Sequence, residues 1–304
     1  MIRTSAPGSI MISGEHAVVY GHNAIVAAIE QRVGVTLHSR NDQTLRITSQ
    51  IAPPLETTPE SLEISGPYRF VLAAIECHRH TLSSGFELDI RSEIDPTLGL
   101  GSSAAVTVAC LGAIKRYCDQ PVCDLHDDAL AIVRRIQGRG SGADLAASYH
   151  GGLLAYRPPL RDDDHAAVRT LPTPPTLSLR YCGYKTPTAE VLDLVAKRMQ
   201  GNEAAFERLY ARMGDSSQAA IAAAQAEDWP VFCQHLTDYQ TLMDELGVCD
   251  KTLHQIIGDA RRHPGTLAAK ISGSGLGDCV LAVGSIPDSF VPAPLSKQGL
   301  IFHD

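Results

Sequence analysis

Residues 96–105 read Pro96-Thr-Leu-Gly-Leu-Gly-Ser-Ser-Ala-Ala105, a short glycine-rich loop that runs directly into an apolar segment. Gly99 and Gly101 carry no Cβ atom, so the backbone can turn tightly and bring its N–H groups close to a bulky anion. Residues 104–115 then keep apolar side chains at helical spacing and end in a lysine, a cation suited to a helix C-terminus. The stretch therefore predicts a helix that begins at a glycine-rich loop.

The start of this helix has two interpretations. Ser102 and Ser103 place two hydroxyls beside the N–H groups of a helix N-terminus, which predicts a phosphate site with a hydroxyl available to a metal ion. An ordinary Ser-capped helix would have the same sequence. No Gly-Lys-Ser/Thr follows, so the spacing is not that of a Walker loop.

Composition excludes several classes of partner. The chain has 304 residues, enough to bury a sizeable core in two domains or one large one. Its formal net charge of −8 gives no electrostatic footprint for nucleic acid or an anionic membrane. We therefore expect an anionic ligand to be bound by local amides and a few cations.

The cysteines and the apolar runs of the sequence indicate the cellular compartment of the protein. The eight cysteines form no Cys-x-x-Cys pair and stand among apolar neighbours, as reduced core cysteines do in cytosolic proteins. The first residues lack the long apolar core of a secretory signal, and no run approaches the roughly 18 apolar residues of a membrane helix. These features predict a cytoplasmic protein.

Two stretches outside the glycine-rich loop contain candidate site residues. Residues 13–21, Ser-Gly-Glu-His-Ala-Val-Val-Tyr-Gly, place Glu15 and His16 on a connection between buried strands. The pair is either a structural salt bridge with a core histidine or one wall of a site, because an unpaired buried glutamate is costly. Asp144 is the single carboxylate of the small-residue stretch 137–148, where it is either a site residue or a helix N-cap.

The second half of the chain follows a segment rich in proline and charge. Residues 157–176 form the predicted domain boundary, which divides the chain into domains 1–160 and 161–304. Residues 184–188, with Thr186 ahead of Pro187, are predicted to cap a helix that continues over 189–200. The apolar spacing also predicts the following three helices, within 202–226, 229–246 and 252–263.

A second glycine-rich turn lies near the C-terminus. Residues 272–277, Ser-Gly-Ser-Gly-Leu-Gly, separate two apolar strands. A hairpin would explain one turn glycine, but three alternating glycines exceed what a hairpin needs.

Three blocks in this order resemble the GHMP kinase superfamily. They are residues 6–21 (Ala-Pro-Gly-Ser-Ile-Met-Ile-Ser-Gly-Glu-His-Ala-Val-Val-Tyr-Gly), residues 96–105, and residues 269–279 (Ala-Lys-Ile-Ser-Gly-Ser-Gly-Leu-Gly-Asp-Cys). Within the superfamily, the first block and Ser141-Gly-Ala-Asp144 are most similar to the mevalonate kinase branch. The resemblance implies an α+β protein of two domains, the N-terminal one similar to the second domain of ribosomal protein S5 and the C-terminal one ferredoxin-like.

The resemblance also implies a phosphotransferase that uses ATP and Mg²⁺ on a small-molecule alcohol, mevalonate. A homodimer is a candidate assembly state that the sequence does not decide. Asp144 would be the base that takes the proton of the attacking hydroxyl. Ser103 would contact Mg²⁺. The other implied positions bind the acceptor (Glu15, His16, Ser141, Thr186 and Thr188) or the nucleotide (Gly99, Leu100, Gly101, Ser102, Ser103, Ala104, Gly273, Ser274 and Gly275).

The chain departs from the family pattern at two places. Ser9 stands where mevalonate kinases usually have a lysine, so Arg3, Arg139 or Lys185 would supply the missing cation. Val133 or Arg134 stands where the family has a second metal ligand, a glutamate.

These departures leave two alternatives to mevalonate kinase open. The first is a phosphomevalonate kinase or another GHMP kinase of small alcohols, since residues 137–147 and 183–188 are similar to phosphomevalonate kinase, whose acceptor already carries a phosphate. A nucleotide- or metabolite-sensing protein that has lost catalysis is the alternative from a different class.

Overall fold

The computed structural model describes residues 1–95, 98–161 and 164–304. The first two positions of the glycine-rich stretch, Pro96 and Thr97, lie outside the described residues, as do positions 162 and 163 of the predicted boundary segment.

Runs of strands and runs of helices follow one another along the described chain. The strands are β1 (Ile2–Ser13), β2 (Ala24–Ser39), β3 (Leu45–Ser49), β4 (Leu55–Thr57), β5 (Phe86–Ser92), β6 (Leu153–Arg157), β7 (Ala167–Leu171), β8 (Leu177–Tyr181), β9 (Thr266–Ser272), β10 (Cys279–Gly284), β11 (Val291–Pro292) and β12 (Ile301–His303). The α-helices are α1 (Arg69–His78), α2 (Ser102–Tyr117), α3 (Leu125–Gln137), α4 (Ala143–His150), α5 (Thr188–Met199), α6 (Glu203–Gln225), α7 (Trp229–Leu246) and α8 (Lys251–Arg262). Short 3₁₀ turns follow β1, over Ala17–Tyr20, and α1, over Arg79–Thr81.

The first sheet is built on two long antiparallel strands, β1 and β2. Its strand order is β12-β1-β2-β5-β3-β4, and β6 and β7 continue it from one end of β2. In β2, Val33, Val35 and Leu37 alternate on the buried face, as a half-buried strand requires. Helix α2 packs across β1 and β2, which places its N-terminus and the preceding glycine-rich loop beside the middle of β1.

The second sheet is antiparallel, with strand order β11-β8-β10-β9. Helices α7 and α8 pack on β9. Helix α8 buries Leu253, Ile256, Ile257 and Ala260, a stripe at helical spacing, against this sheet. The turn between β9 and β10 contains the second glycine-rich sequence. The two sheets confirm the predicted α+β class.

The predicted helices over 202–226, 229–246 and 252–263 correspond closely to α6, α7 and α8. The proline-rich segment 157–176 differs from the prediction, because it contains strand β7, which pairs with β6 in the first sheet. Strand β12, near the end of the chain, also pairs with β1. Residues on both sides of the predicted division at 160/161 therefore belong to the first sheet.

Ser102, Asp144 and Thr186 were candidate helix caps, and none of them occupies an N-cap position. Gly101 and Gly142 occupy the N-cap positions of α2 and α4, with φ angles of 67° and 86°, so neither Ser102 nor Asp144 is a cap. Left-handed backbone of this kind favours glycine. Pro187 precedes α5, and the hydroxyl of Thr186 donates instead to Leu276 O at 2.6 Å.

Over residues 1–95, 98–161 and 164–304, each helix is too short or too polar to span a membrane.

Candidate active site

Ser9 connects the glycine-rich loop to Asp144. It is fully buried in β1, and its Oγ donates to Asp144 Oδ1 at 2.7 Å. Its backbone N–H donates to Leu100 O at 3.1 Å. A Cβ atom at Gly101 would lie 1.9 Å from Ser9 Oγ, so only glycine permits this approach. The predicted phosphate loop and the predicted base therefore lie on the same side of the molecule.

The electrostatic surroundings of Asp144 suit a proton acceptor. Desolvation by the surrounding protein raises the pKa of this carboxyl, while the Ser9 hydrogen bond and the charge of Lys185 lower it and the charge of Glu15 raises it further. The pKa is raised on balance, which increases the affinity of the carboxylate for a proton. Its place in the first turn of α4 fixes it beside the loop.

The second glycine-rich turn closes against the first. Cys279 Sγ donates to Leu98 O at 3.3 Å. A Cβ atom at Gly99 would lie 2.7 Å from Asp278 Oδ1, and one at Gly273 would lie 2.8 Å from Asp278 Oδ2. The alternating glycines of residues 272–277 thus allow this turn to pack around a buried carboxylate and against the phosphate loop.

Glu15 and His16 join the first sequence block to the third. Glu15 forms a buried ion pair with Lys270, whose Nζ lies 2.5 Å from Glu15 Oε1. His16 Nε2 donates to Ser274 O at 2.8 Å, because a carbonyl oxygen only accepts. Burial lowers the pKa of His16, which favours the neutral imidazole. Both contacts fit the structural interpretation of these residues, and they attach the second glycine-rich turn to the end of β1.

The remaining predicted acceptor residues differ in what they contact. Thr186 ties the segment before α5 to the second glycine-rich turn. Ser141 Oγ accepts from Ala143 N at 3.3 Å, and Ser141 O accepts from the Tyr156 hydroxyl at 2.5 Å. Thr188 is exposed at the start of α5. Ser141 therefore lies one turn from Asp144, and its hydroxyl is used within that turn.

The predicted nucleotide residues fall into two groups. Gly99, Leu100 and Gly101 form the loop, and Ser102, Ser103 and Ala104 begin α2. Ser103 is exposed, so its hydroxyl is accessible to a ligand. Gly273, Ser274 and Gly275 form the opposing turn; Gly275 packs against Val248, whose carbonyl oxygen accepts from Leu276 N at 2.7 Å.

An apolar cleft adjoins the start of α2. It lies between the first sheet, the loop 49–52 and helices α1 and α2, and Ser102 forms part of its wall. Its lining residues are Val33, Ser49, Gln50, Ile51, Ala52, Pro67, Tyr68, Phe70, Val71, Ile90, Ser92, Ser102 and Val106. A flat apolar group held here would have its substituents close to the glycine-rich loop.

The three candidate cations have different environments. Arg3 lies in β1 between Thr36 of β2 and His303 of β12, several residues from Ser9. Arg139 is paired with Asp193 of α5. Lys185 lies beside the loop, since a Cβ atom at Gly99 would be 3.6 Å from its Nζ. Among these three, Lys185 is the cation at the loop.

Sequence reasoning missed two residues of this region. Lys270 looked like part of an apolar strand, yet it is fully buried as the partner of Glu15. Asp278 is the tenth residue of the third block and was not among the predicted site residues, although it is 4% exposed and lies between the two glycine-rich turns. The available signal was a lysine among apolar strand residues for Lys270 and a carboxylate at the end of a glycine-rich turn for Asp278.

Comparison with known proteins identifies the family of this chain. The model of the GHMP kinases N terminal domain matches residues 69–152, and that of the GHMP kinases C terminal domain matches residues 220–289. The chain belongs to the GHMP kinase family. The N-terminal match includes the glycine-rich loop and Asp144, and the C-terminal match includes the second glycine-rich turn.

Named relatives cover most of the chain. A mevalonate kinase of Thermococcus onnurineus is 29% identical over 98% of this chain and 93% of its own. A solved L. major mevalonate kinase in complex with R-mevalonate has a TM-score of 0.72 at 24% identity, covering 94% of this chain and 88% of its own. A Streptococcus pneumoniae phosphomevalonate kinase has a TM-score of 0.79 at 18% identity, covering 95% and 94%. At these identities the two solved structures establish the fold of this GHMP kinase.

Proposed function

We propose that this GHMP kinase transfers the γ-phosphate of ATP to the hydroxyl of mevalonate. The observation that supports the proposal most directly is the placement of Asp144 against the glycine-rich loop, joined to it by the Ser9 hydrogen bond. A loop that binds phosphate and a carboxylate that accepts a proton must be neighbours for a hydroxyl to attack a bound γ-phosphate.

The proposed nucleotide position follows from the cleft and the loop. Adenine would occupy the apolar cleft beside Ser102, and the phosphates would lie over residues 99–103 with the turn 272–277 opposite. The backbone N–H groups of the loop and the first turn of α2 would face the phosphates. The cleft is lined mainly by apolar and aromatic side chains, as pockets that bind small ligands usually are.

Three side chains have proposed roles in the chemistry. Asp144 would take the proton of the attacking hydroxyl, and Lys185 would neutralise charge on the phosphates. Mg²⁺ prefers oxygen ligands, and the exposed hydroxyl of Ser103 at the start of α2 fits that requirement. Bound Mg²⁺ would offset the charge that spreads over the phosphate oxygens during transfer.

Mevalonate suits the site better than phosphomevalonate. An acceptor that already carries a phosphate needs a cation of its own, and Arg139 and Lys185 were the candidates for that role. Arg139 is paired with Asp193, and Lys185 faces Gly99 and the proposed nucleotide phosphates. The named relative from Thermococcus onnurineus, similar over nearly the whole chain, also supports mevalonate.

A catalytically silent sensor is the second candidate. The substitution of Ser9 for the family lysine favours it. The Ser9–Asp144 hydrogen bond opposes it, because a sensor has no need to hold a carboxylate of raised pKa against the phosphate loop.

We also propose that the protein is located in the cytoplasm. All eight cysteines are free thiols, and three of them are buried. Free thiols of this kind persist where the surroundings are reducing.

An acceptor panel tests the proposed function. ADP release from Mg²⁺-ATP would be measured with mevalonate, phosphomevalonate, galactose and homoserine at equal concentrations. We expect mevalonate to give the highest kcat/KM. A preference for phosphomevalonate would reject mevalonate as the acceptor, and ATP binding without turnover on every acceptor would favour the sensor.

A further inference from the structure

Asp278 is a buried carboxylate between the two glycine-rich turns. Its φ angle is 65°, in the left-handed region, and it is 4% exposed. Its Oδ2 accepts from Ser274 Oγ at 3.3 Å. Among the described residues, Oδ1 receives no hydrogen bond. A carboxylate oxygen left in this condition inside a protein is costly, so the arrangement requires an explanation.

The free oxygen faces the proposed phosphate site. A Cβ atom at Gly99 would be 2.7 Å from Asp278 Oδ1 and 3.6 Å from Lys185 Nζ. The carboxylate and the ammonium group therefore both approach the backbone of the loop at the same residue. Lys185 Nζ lies 3.8 Å from Asp278 Oδ1, close enough for ion pairing and too far for a hydrogen bond.

A bound triphosphate would change this balance of charge. Its negative charge attracts Lys185 and repels Asp278, and both effects are strong at short range in a partly dry site. A divalent cation between the carboxylate and the phosphate oxygens removes the repulsion, and carboxylate together with phosphate oxygens is a usual ligand set for Mg²⁺. Helix α3 gives no alternative ligand at the expected position, because Val133 packs beside Gly140 and Arg134 Nε donates to Gly140 O.

We propose that Asp278 supplies the carboxylate ligand of the nucleotide-bound Mg²⁺, and that Lys185 balances its charge when no nucleotide is bound. This assignment rests on the ATP-dependent function proposed above. It gives the third glycine-rich block a chemical role as well as a structural one. The competing explanation is that Asp278 only fixes the turn and pairs with Lys185.

The substitution Asp278→Asn separates these explanations. Asparagine has nearly the same shape and tolerates left-handed backbone, so the turn can keep its conformation. The dissociation constant of ATP would be measured by calorimetry once in EDTA and once in excess Mg²⁺, and the ratio of the two constants gives the gain from the metal. We expect this gain in ATP affinity to fall at least about tenfold in Asp278→Asn. A tenfold change corresponds to about 1.4 kcal/mol, the loss of one interaction between a charged ligand and the metal. Binding in EDTA should be unchanged or tighter, because a repulsive charge is gone.

Two further variants complete the design. Asp288→Asn removes an exposed carboxylate from the turn after β10, and it should keep the wild-type metal gain. Lys185→Met should weaken ATP binding by the same factor in EDTA and in Mg²⁺. The ratio of its two dissociation constants should therefore equal that of the wild type. Should Asp278→Asn fail to fold, Asp278→Ser takes its place. Spin resonance of Mn²⁺ with ADP gives a second readout, in which the fraction of protein-bound Mn²⁺ should fall in the Asp278 variant.

The possible failures are distinguishable. If the wild-type chain binds ATP with a metal gain that Asp278→Asn retains, Asp278 is not the ligand, and the proposed kinase function is unaffected. If the wild-type chain binds no ATP in either condition, the kinase function itself is wrong and the assignment of Asp278 is wrong with it.

Discussion

Replacement of Ser9 by alanine should move the acidic limb of the pH–rate profile to higher pH. Ser9 Oγ donates to Asp144 Oδ1 at 2.7 Å, and this bond is among the interactions that lower the pKa of a carboxyl whose pKa burial raises. Asp144 must be ionised to accept a proton, so activity is lost as pH falls through its pKa. Without the hydroxyl, the pKa of Asp144 rises and the loss begins at a higher pH.

The size of this effect follows from the bond. A hydrogen bond to a charged group contributes about 1.5–3 kcal/mol. Its removal should reduce the ionisation constant of Asp144 roughly 10- to 150-fold, since each 1.4 kcal/mol corresponds to about a factor of ten. The kcat/KM for mevalonate would be measured against pH with saturating Mg²⁺-ATP. We expect the plateau at high pH to change much less than the position of the limb.

Ser5→Ala is the matched control. Ser5 lies in the same strand, but its hydroxyl contacts His303 and Arg32. Its removal should leave the pH profile in place even where it lowers stability. If the acidic limb of Ser9→Ala coincides with that of the wild type, either Asp144 is not the base or its bond to Ser9 does not persist in the working enzyme.

Three other predictions follow from the site and its supports. Asp144→Asn should lower kcat about 10²- to 10⁴-fold, the usual contribution of a general base, with the dissociation constant of ATP changed little; a variant with full turnover would show that Asp144 is not the base. Lys270→Met should destabilise the chain by about 3–5 kcal/mol in urea denaturation, because it leaves Glu15 buried without its partner, and addition of Glu15→Gln should restore most of the loss. Gly101→Ala should weaken ATP binding at least about tenfold, because its Cβ would meet Ser9 Oγ. Gly138→Ala is the control, since Gly138 has a similar φ angle of 75° and open space around its Cβ position. This control should lower the free energy of unfolding by about 1–2 kcal/mol and leave ATP binding unchanged. Equal ATP affinities for Gly101→Ala and Gly138→Ala would contradict the crowding argument.

Local sequence signals were enough to predict the helices and the loop that surround the site. The loop at 99–101 and helix α2 follow from two glycines and an apolar run at helical spacing, both of which act within a few residues. Helices α6, α7 and α8 were found for the same reason. The three glycine-containing blocks then indicated the family, because their order along the chain is specific.

Long-range contacts could not be predicted from the same signals. Ser9 and Asp144 are 135 positions apart, and Glu15 and Lys270 are 255 positions apart. The sequence marked Ser9 only as the residue at the position of a missing lysine, while the structure shows it bonded to the proposed base. Tertiary contacts also overrode local capping chemistry, since Thr186 donates to Leu276 of the second glycine-rich turn instead of capping α5. Strand β7 was missed because pairing with β6, which lies earlier in the chain, stabilises a polar segment of weak strand character.

The position of the acceptor hydroxyl relative to Asp144 tests the central claim most directly. A crystal structure of the protein with a non-hydrolysable ATP analogue, Mg²⁺ and mevalonate would measure it. We expect a carboxylate oxygen of Asp144 within about 3 Å of the hydroxyl that attacks the γ-phosphate, with the phosphates over residues 99–103. A nucleotide bound away from this loop, or a hydroxyl facing a different base, would contradict the account.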